Sequence, residues 1–254
     1  MTTMNARNGA PLDILPYSSA SRPSEATMRP ERAVQAHDLT ADGQRVNQSG
    51  GSWRISEIAA KPRTDHRFSV RIIGGRWRGR RIAIPHGTAV RPTPDRVRET
   101  VFNWLSGEIP GAACLDLFAG TGVFGLEALS RGAREAWFVE RDAELARVLR
   151  ARIEELHADG RVVQTDVEAL LRQAPQRQFD VVFLDPPYQK ALEPLLASMA
   201  SWVTDSAHIY VERPRPRGDT PGLDKLAEAL PGAELVKQSR AGAVVFGVLR
   251  YRRP

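Results

Sequence analysis

Residues 179–188 read Phe-Asp-Val-Val-Phe-Leu-Asp-Pro-Pro-Tyr, an apolar strand running into an acid, two prolines and a tyrosine. These residue types, in this order, can transfer a methyl group to a planar, conjugated amine. The exocyclic NH2 of a base has its lone pair delocalised into the ring. Two acceptors on its hydrogens, the Asp185 carboxylate and the Pro186 carbonyl, pull the nitrogen towards a tetrahedral shape and aim the lone pair at a methyl donor. Consecutive prolines fix φ and remove two N–H donors, which holds the carbonyl direction. Tyr188 can stack on a base taken out of its helix, worth roughly 1–3 kcal/mol per base. Asp185 or water can accept the departing proton. The bland alternative is a common loop composition ending a buried strand, and a second motif argues against it.

That second motif is Cys114-Leu-Asp-Leu-Phe-Ala-Gly-Thr-Gly-Val-Phe-Gly125. An apolar strand meets a glycine turn, and a helix follows. Gly120, Gly122 and Gly125 satisfy G-x-G-x-x-G, with Glu140 twenty residues past Gly120 at the end of the next strand, Ala136–Val139. Glycines let the backbone approach a ligand, and the acid can hold two ribose hydroxyls. The pattern alone suits NAD as readily as a methyl donor. Asp116 argues against NAD: a carboxylate before the turn repels a pyrophosphate but suits the ammonium of a methionine moiety. Asp166 follows a third strand, Arg161–Thr165, and can accept from an adenine amino group. Acids at four strand ends then lie along one sheet edge, where open α/β sheets bind ligands.

The order D-x-F-x-G-x-G, strand-end Glu, strand-end Asp, D-P-P-Y resembles the class I S-adenosylmethionine-dependent methyltransferases, nearest to their amine-methylating branch. Upstream, Arg71-Ile-Ile-Gly-Gly-Arg-Trp-Arg-Gly-Arg80 and Arg91-Pro-Thr-Pro-Asp-Arg-Val-Arg-Glu-Thr-Val-Phe-Asn-Trp-Leu105 resemble the RsmD family over about residues 70–252. The resemblance implies methylation of the exocyclic N2 of one guanine, guanine 966, of 16S rRNA in an assembled or partly assembled small ribosomal subunit. It implies S-adenosyl-L-methionine at Asp116, Phe118, Gly120, Gly122, Glu140 and Asp166, and catalysis by Asp185, Pro186 and Tyr188. It also places Arg91, Thr93 and Arg96 near the cofactor and RNA entrance. The implied fold is α/β, a Rossmann-like, mostly parallel class I sheet with a C-terminal antiparallel hairpin and an N-terminal β-hairpin extension.

Charge is distributed unevenly. Residues 67–98 hold nine arginines against one acid, Asp95, whereas the rest of the chain has a slight acidic excess, for a net charge of +6. The basic character is thus a local patch, which is how a phosphate-binding surface looks. Arg71, Arg76, Arg78, Arg80, Arg81, Arg91 and Arg96 are its candidate RNA contacts; the alternative is a solvated, charged strand pair. Cys114 is the single cysteine, so an intrachain disulfide is impossible, and the scattered histidines lack metal-ligand spacing. No metal is expected, because a sulfonium is already activated. No apolar run spans a membrane and none forms a signal-peptide core, which points to a cytoplasmic protein, with a monomer as the default expectation.

The elements that position these residues begin at Arg67. Residues 1–66 mix Ser, Thr, Asn, Gly and Pro with alternating charges and are expected to be a disordered extension, with Ser49–Ser52 a flexible linker. Alternation through Phe68–Ile72, a turn at Gly74-Gly75 and Arg80–Pro85 predict a basic β-hairpin unit over 67–92. The methyltransferase domain then spans 93–254. Thr93 is expected to cap a helix with Pro94 at its first position and Val97, Val101, Trp104 and Leu105 on its apolar face. Alternating elements from Cys114 predict a parallel sheet. Further helices are expected over 143–156, 190–202 and 222–230, and strands over 207–212, 233–238 and 243–251. The main rival is a DNA or RNA adenine-N6 methyltransferase, since D-P-P-Y serves that amine too. For DNA, the chain lacks room for a separate target-recognition domain. A protein-glutamine methyltransferase is disfavoured because Asp185 stands where its relatives usually carry Asn. A non-catalytic assembly factor is disfavoured by the intact motifs. A nicotinamide oxidoreductase is separable by which cofactor raises the melting temperature.

Overall fold

Mainly apolar segments of five or six residues, such as Ala113–Leu117, Glu135–Val139 and Phe179–Leu184, become buried strands. The computed structural model describes residues 44–46, 52–54, 69–85, 93–215 and 222–254. The chain divides into two units, Met1–Arg63 and Thr64–Pro254. In the first, β1 (Gln44–Val46) pairs antiparallel with β2 (Ser52–Arg54), so Ser52 of the expected linker lies in a strand. The remainder of the expected disordered extension lies outside the described residues.

In the second unit, β3 (Ser69–Arg71) and β4 (Arg81–Ala83) form the antiparallel pair expected from the alternation, joined through a 3-10 turn at Gly75–Trp77. There follow α1 (Asp95–Trp104), β5 (Ala113–Leu117), α2 (Val123–Ser130), β6 (Glu135–Val139), α3 (Ala143–Glu155) and β7 (Gly160–Val163). Then come α4 (Val167–Leu171), β8 (Phe179–Leu184), α5 (Glu193–Ala197), β9 (Val203–Pro214), α6 (Leu223–Ala227), β10 (Ala233–Ala241) and β11 (Val244–Tyr251). One seven-stranded sheet has the order β10-β11-β9-β8-β5-β6-β7. From β7 to β9 the pairs are parallel; β11 runs antiparallel to both β9 and β10. The expected Rossmann-like sheet with a C-terminal hairpin is therefore the observed one.

Two apolar layers cover the sheet. Ile72, Phe102, Phe124, Phe138, Leu149, Phe183, Tyr210 and Phe246 fill the face under α1, α2 and α3. Leu117, Leu170, Leu184, Leu195, Trp202 and Leu226 fill the face under α4, α5 and α6. Strands buried on both faces read as continuous apolar runs rather than as alternation. The hairpin joins the first layer through Val70, Ile72 and Ile82. Its turn is fastened to α2: Ile73 and Gly74 N–H donate to the Glu127 carboxylate, both at 2.7 Å, and Trp77 N–H donates to Ser130 Oγ at 2.9 Å. A Cβ on Gly75, which has φ +75°, would stand 1.9 Å from the Ser130 carbonyl oxygen, so this close approach requires glycine.

Three local expectations differ from the structure. Thr93 makes no capping bond, and α1 starts at Asp95 with Pro94 before it. The Thr93 hydroxyl is drawn into the sheet edge instead. The helix expected over 190–202 shortens to Glu193–Ala197. Strand β7 stops at Val163, so Asp166 does not end it; its carboxylate caps α4, accepting from Glu168 and Ala169 N–H at 2.9 and 3.2 Å. Such capping satisfies backbone donors that a helix start leaves open.

Candidate active site

Strands β5 and β8 are neighbours, while the chain continues from β5 towards β7 on one side and from β8 towards β11 on the other. This is the switch point of the sheet, where loops leaving the carboxyl ends diverge and open a crevice. From β5 leaves the glycine loop; from β8 leaves Asp185-Pro186-Pro187-Tyr188. The register pairs Asp116 with Phe183 and Leu117 with Leu184, so the two loops leave side by side.

The glycine loop is tightly wound. Phe118, Gly120 and Gly122 all have left-handed φ, at +61°, +54° and +74°. A Cβ on Gly122 would stand 2.5 Å from Leu149 Cδ1, so this glycine serves the packing of α2 on α3 as well as the turn. Asp116 is buried at its start and accepts from Gly125 N–H at 2.9 Å, in the first turn of α2, which favours negative charge. Glu140, at the end of β6, accepts from Gly120 N–H through one oxygen and from Asp142 N–H through the other, both at 2.8 Å. The carboxylate is therefore fixed against the glycine loop. Asp166 lies beyond β7, the next strand outward.

Asp185 is half-buried, and Thr93 Oγ1 donates to its Oδ2 at 2.8 Å. Thr93 itself is buried, and its carbonyl accepts from the fully buried Arg98 at 3.2 Å. Beyond Asp185 the chain turns, with Lys190 N–H donating to the Pro187 carbonyl at 2.8 Å, and Tyr188 is the one large apolar side chain among the described residues that stands exposed, at 55%. Pro186 is buried between them.

Two further side chains, Glu212 and its partner Tyr210, join the site without a role assigned from the sequence. Glu212, near the end of β9, is buried and accepts from the Tyr210 hydroxyl at 2.8 Å. Leu184 pairs with Val211, so Glu212 stands one residue beyond the last paired position, as Asp185 does. Like Asp116, Glu140 and Asp185, it is an acid near the carboxyl end of a parallel strand; its adjacency to Asp185 depends on β9 lying beside β8.

Burial pushes Asp116 well above the usual carboxylate range, and the charges of Asp185 and Glu140 add to the rise against the Gly125 bond. Burial also lifts Asp185 to about 6, with the Thr93 bond opposing, and lifts Glu212 to about 7, helped by the Asp185 charge and opposed by the Tyr210 bond. Among the described residues no ion pair neutralises any of these three acids. A crevice so short of positive charge fits a cationic ligand, and its acids are displaced in the direction such a ligand would reverse.

The arginines of the hairpin divide into two sets. Arg71 pairs with Asp95 at 3.4 Å, Arg80 with Glu155, and Arg81 donates to Ser69 Oγ at 3.1 Å. Arg76 lies over Trp77, 4.2 Å from the ring centroid, and is exposed, as are Arg78 and Arg96. Arg98, counted in the basic stretch, is fully buried and belongs to the interior. Arg91 lies outside the described residues. Cys114 is buried in β5, as expected of a packing residue.

Residues 70–249 match the family model described as "Conserved hypothetical protein 95". The chain is 42% identical over 156 residues, 60% of its length, to 78% of Ribosomal RNA small subunit methyltransferase D of Escherichia coli (strain K12). It is 41% identical over 150 residues, 56% of its length, to 78% of the protein of the same name from Haemophilus influenzae. The solved structure of yhhF from Escherichia coli superposes with a TM-score of 0.65 at 38% identity, over 73% of this chain and 99% of that one. Magnesium protoporphyrin IX methyltransferase from Synechocystis, solved with bound SAM, gives 0.50 at 13% identity over 62% and 79%, a likeness of fold. With most of its length inside the family model and relatives of this identity, the chain belongs to the RsmD family of ribosomal RNA methyltransferases.

Proposed function

We propose that this protein methylates the exocyclic N2 amine of guanine 966 of 16S rRNA in an assembled or partly assembled small ribosomal subunit, in the cytoplasm, as a monomer. The observation that carries the chemistry is the Asp185–Tyr188 turn at the switch point: a carboxylate oriented by Thr93, a buried proline and an exposed tyrosine, beside the glycine loop. S-adenosyl-L-methionine supplies an electrophilic methyl group on a sulfonium. Its amino group suits the buried Asp116, its ribose Glu140, its adenine Asp166, and Phe118, Gly120 and Gly122 line its approach. The deficit of positive charge around Asp116, Asp185 and Glu140 supports a sulfonium-bearing ligand in particular.

In this reading Asp185 and the Pro186 carbonyl hold the two amine hydrogens, and Tyr188 stacks on the flipped base. Exposure suits Tyr188 to this work, because a base arriving from RNA needs an accessible face. The hairpin of 67–92 and the arginines at 71, 76, 78, 80, 81, 91 and 96 bind phosphate. The choice of guanine and of its position rests on the family.

The test is transfer of labelled methyl to small subunits lacking native methylation, followed by nucleoside analysis. N2-methylguanosine at one position is expected, and Asp185→Ala abolishes it. N6-methyladenosine would overturn the substrate in favour of the adenine reading. Near-normal turnover by Asp185→Ala would overturn the amine-holding role.

A further inference from the structure

Two carboxyl groups end neighbouring parallel strands at this site, and the proposed function uses one of them. Side chains alternate faces along a strand. Phe183 and Tyr210, paired in register, both face the layer under α1 and α2. Asp185 and Glu212, each two residues further on, return to that face. Thr93, just ahead of α1, reaches Asp185 from it, and Phe246 pairs with Glu212 from β11.

The surroundings of Glu212 are apolar or acidic. On its own strand Tyr210 donates to it, and the Tyr210 ring packs on Phe124 of α2 at 4.9 Å and on Phe246 at 6.5 Å. Asp185 acts on it from the end of β8, and among the described residues Asp116 interacts with Asp185 and Tyr188 with Tyr210. The neighbouring Arg213 points to the opposite face and lies 3.5 Å from Glu193. Among the described residues no ion pair reaches Glu212. A buried acid without a counter-ion beside a second acid is a costly arrangement, and a structural role does not account for it.

We propose that Glu212 forms with Asp185 a carboxyl pair that takes up the proton released by the target amine, Glu212 acting as a positioning residue behind Asp185. The inference rests on the proposed function. In the reaction the amine lone pair forms the new N–C bond, the electrons of the broken C–S bond remain on sulfur, and the nitrogen sheds one proton. Asp185 receives that proton, and Glu212 shares it. The Asp185 charge raises Glu212, so the two titrate as a pair, and Glu212, at about 7, is matched to neutral pH where Asp185, at about 6, is a weaker base. One unit in proton affinity is a factor of about ten.

Single-turnover methyl transfer is measured against pH for wild type and Glu212→Gln, which keeps the shape and an acceptor for Tyr210. Wild type is expected to rise in two steps, near pH 6 and near pH 7. Glu212→Gln keeps the lower step, loses the upper, and reaches a plateau about tenfold lower with cofactor affinity unchanged. An upper step that persists in Glu212→Gln overturns the proposal. A second measurement needs no turnover: carboxyl 13C NMR of the ligand-free protein. Glu212 is expected to titrate near 7 in wild type and distinctly lower in Asp185→Asn. An unmoved midpoint overturns the pair. Wild type without guanine methylation would sink the proposed function, whereas the NMR coupling stands or falls independently.

Discussion

One hydroxyl opposes the effect of burial on the charge of Asp185. Burial raises this carboxyl from its ordinary range to about 6, and the Thr93 bond limits the rise. A hydrogen bond to a charged group is worth about 1.5–3 kcal/mol, so removing it raises the midpoint by at least about one unit. Asp185 holds the amine as the ionised form, so activity is lost as pH falls through its midpoint. Thr93→Val therefore moves the acid limb of the methyl-transfer profile to higher pH. At pH 6 the rate falls about fivefold, and at pH 9 it approaches wild type. Thr93→Ser retains the hydroxyl and the wild-type midpoint. A Thr93→Val profile scaled down equally at every pH would show instead that Thr93 only positions the loop. The residues alone offer the threonine as a helix cap, and the family resemblance places it near the cofactor and RNA entrance without a role. The propensity of Thr-Pro for a helix start is a local signal, and the competing partner stands 92 residues away.

At the scale of elements, the hairpin is held by the carboxylate of Glu127. This side chain is fully buried, accepts from Ile73 and Gly74 N–H, and lies 2.8 Å from Arg131 and 3.6 Å from Arg98. Arg98 in turn donates to the carbonyls of Arg71 and Thr93, at 2.8 and 3.2 Å, so hairpin and Asp185 loop share one anchor. Removing one member of a buried ion pair leaves an uncompensated charge and costs about 3–5 kcal/mol. Glu127→Ala is expected to lose stability of that order in urea denaturation and to weaken RNA binding, while cofactor binding to the folded fraction is retained. Loss of less than about 1 kcal/mol would show that the hairpin is held by its apolar residues alone. Little of this anchor was legible in advance. Mainly apolar segments at 113–117 and 179–184, each interrupted by one aspartate, announce buried strands, and the glycine loop announces the first crossover. Arg98, by contrast, reads as one more arginine of a basic stretch, because burial of a charged residue depends on partners from α2 and the hairpin. Glu212 was visible as a strand-end acid, yet its meaning waited on strand order, which joins β9 to β8 across 18 intervening residues.

At the scale of the whole molecule, charge is sorted by place. Acids converge at the carboxyl ends of the parallel strands, while the hairpin and α1 present the exposed Arg76, Arg78 and Arg96. An acidic crevice receives a cationic ligand but repels a polyanion, so RNA affinity has to come from elsewhere on the surface. Ion pairs already occupy Arg71 and Arg80, whereas Arg76, seated on Trp77, and Arg78 are exposed and form none among the described residues. Neutralising a phosphate releases counterions, and each contact adds about 0.7 to the slope of log affinity against log salt on single strands. If Arg76 and Arg78 each meet a phosphate, the double substitution Arg76→Ala, Arg78→Ala lowers that slope by about 1.4 and weakens binding at low salt more than at high salt. The same substitution at Arg71 and Arg80 changes the slope less, since part of their charge is already spent on Asp95 and Glu155. The measurement is fluorescence anisotropy of an rRNA fragment across a salt series, with cofactor affinity as the internal control. An unaltered slope for Arg76 and Arg78 would remove the hairpin from the RNA interface and shift attention to Arg96 on α1, which is also exposed and stands three residues from Thr93.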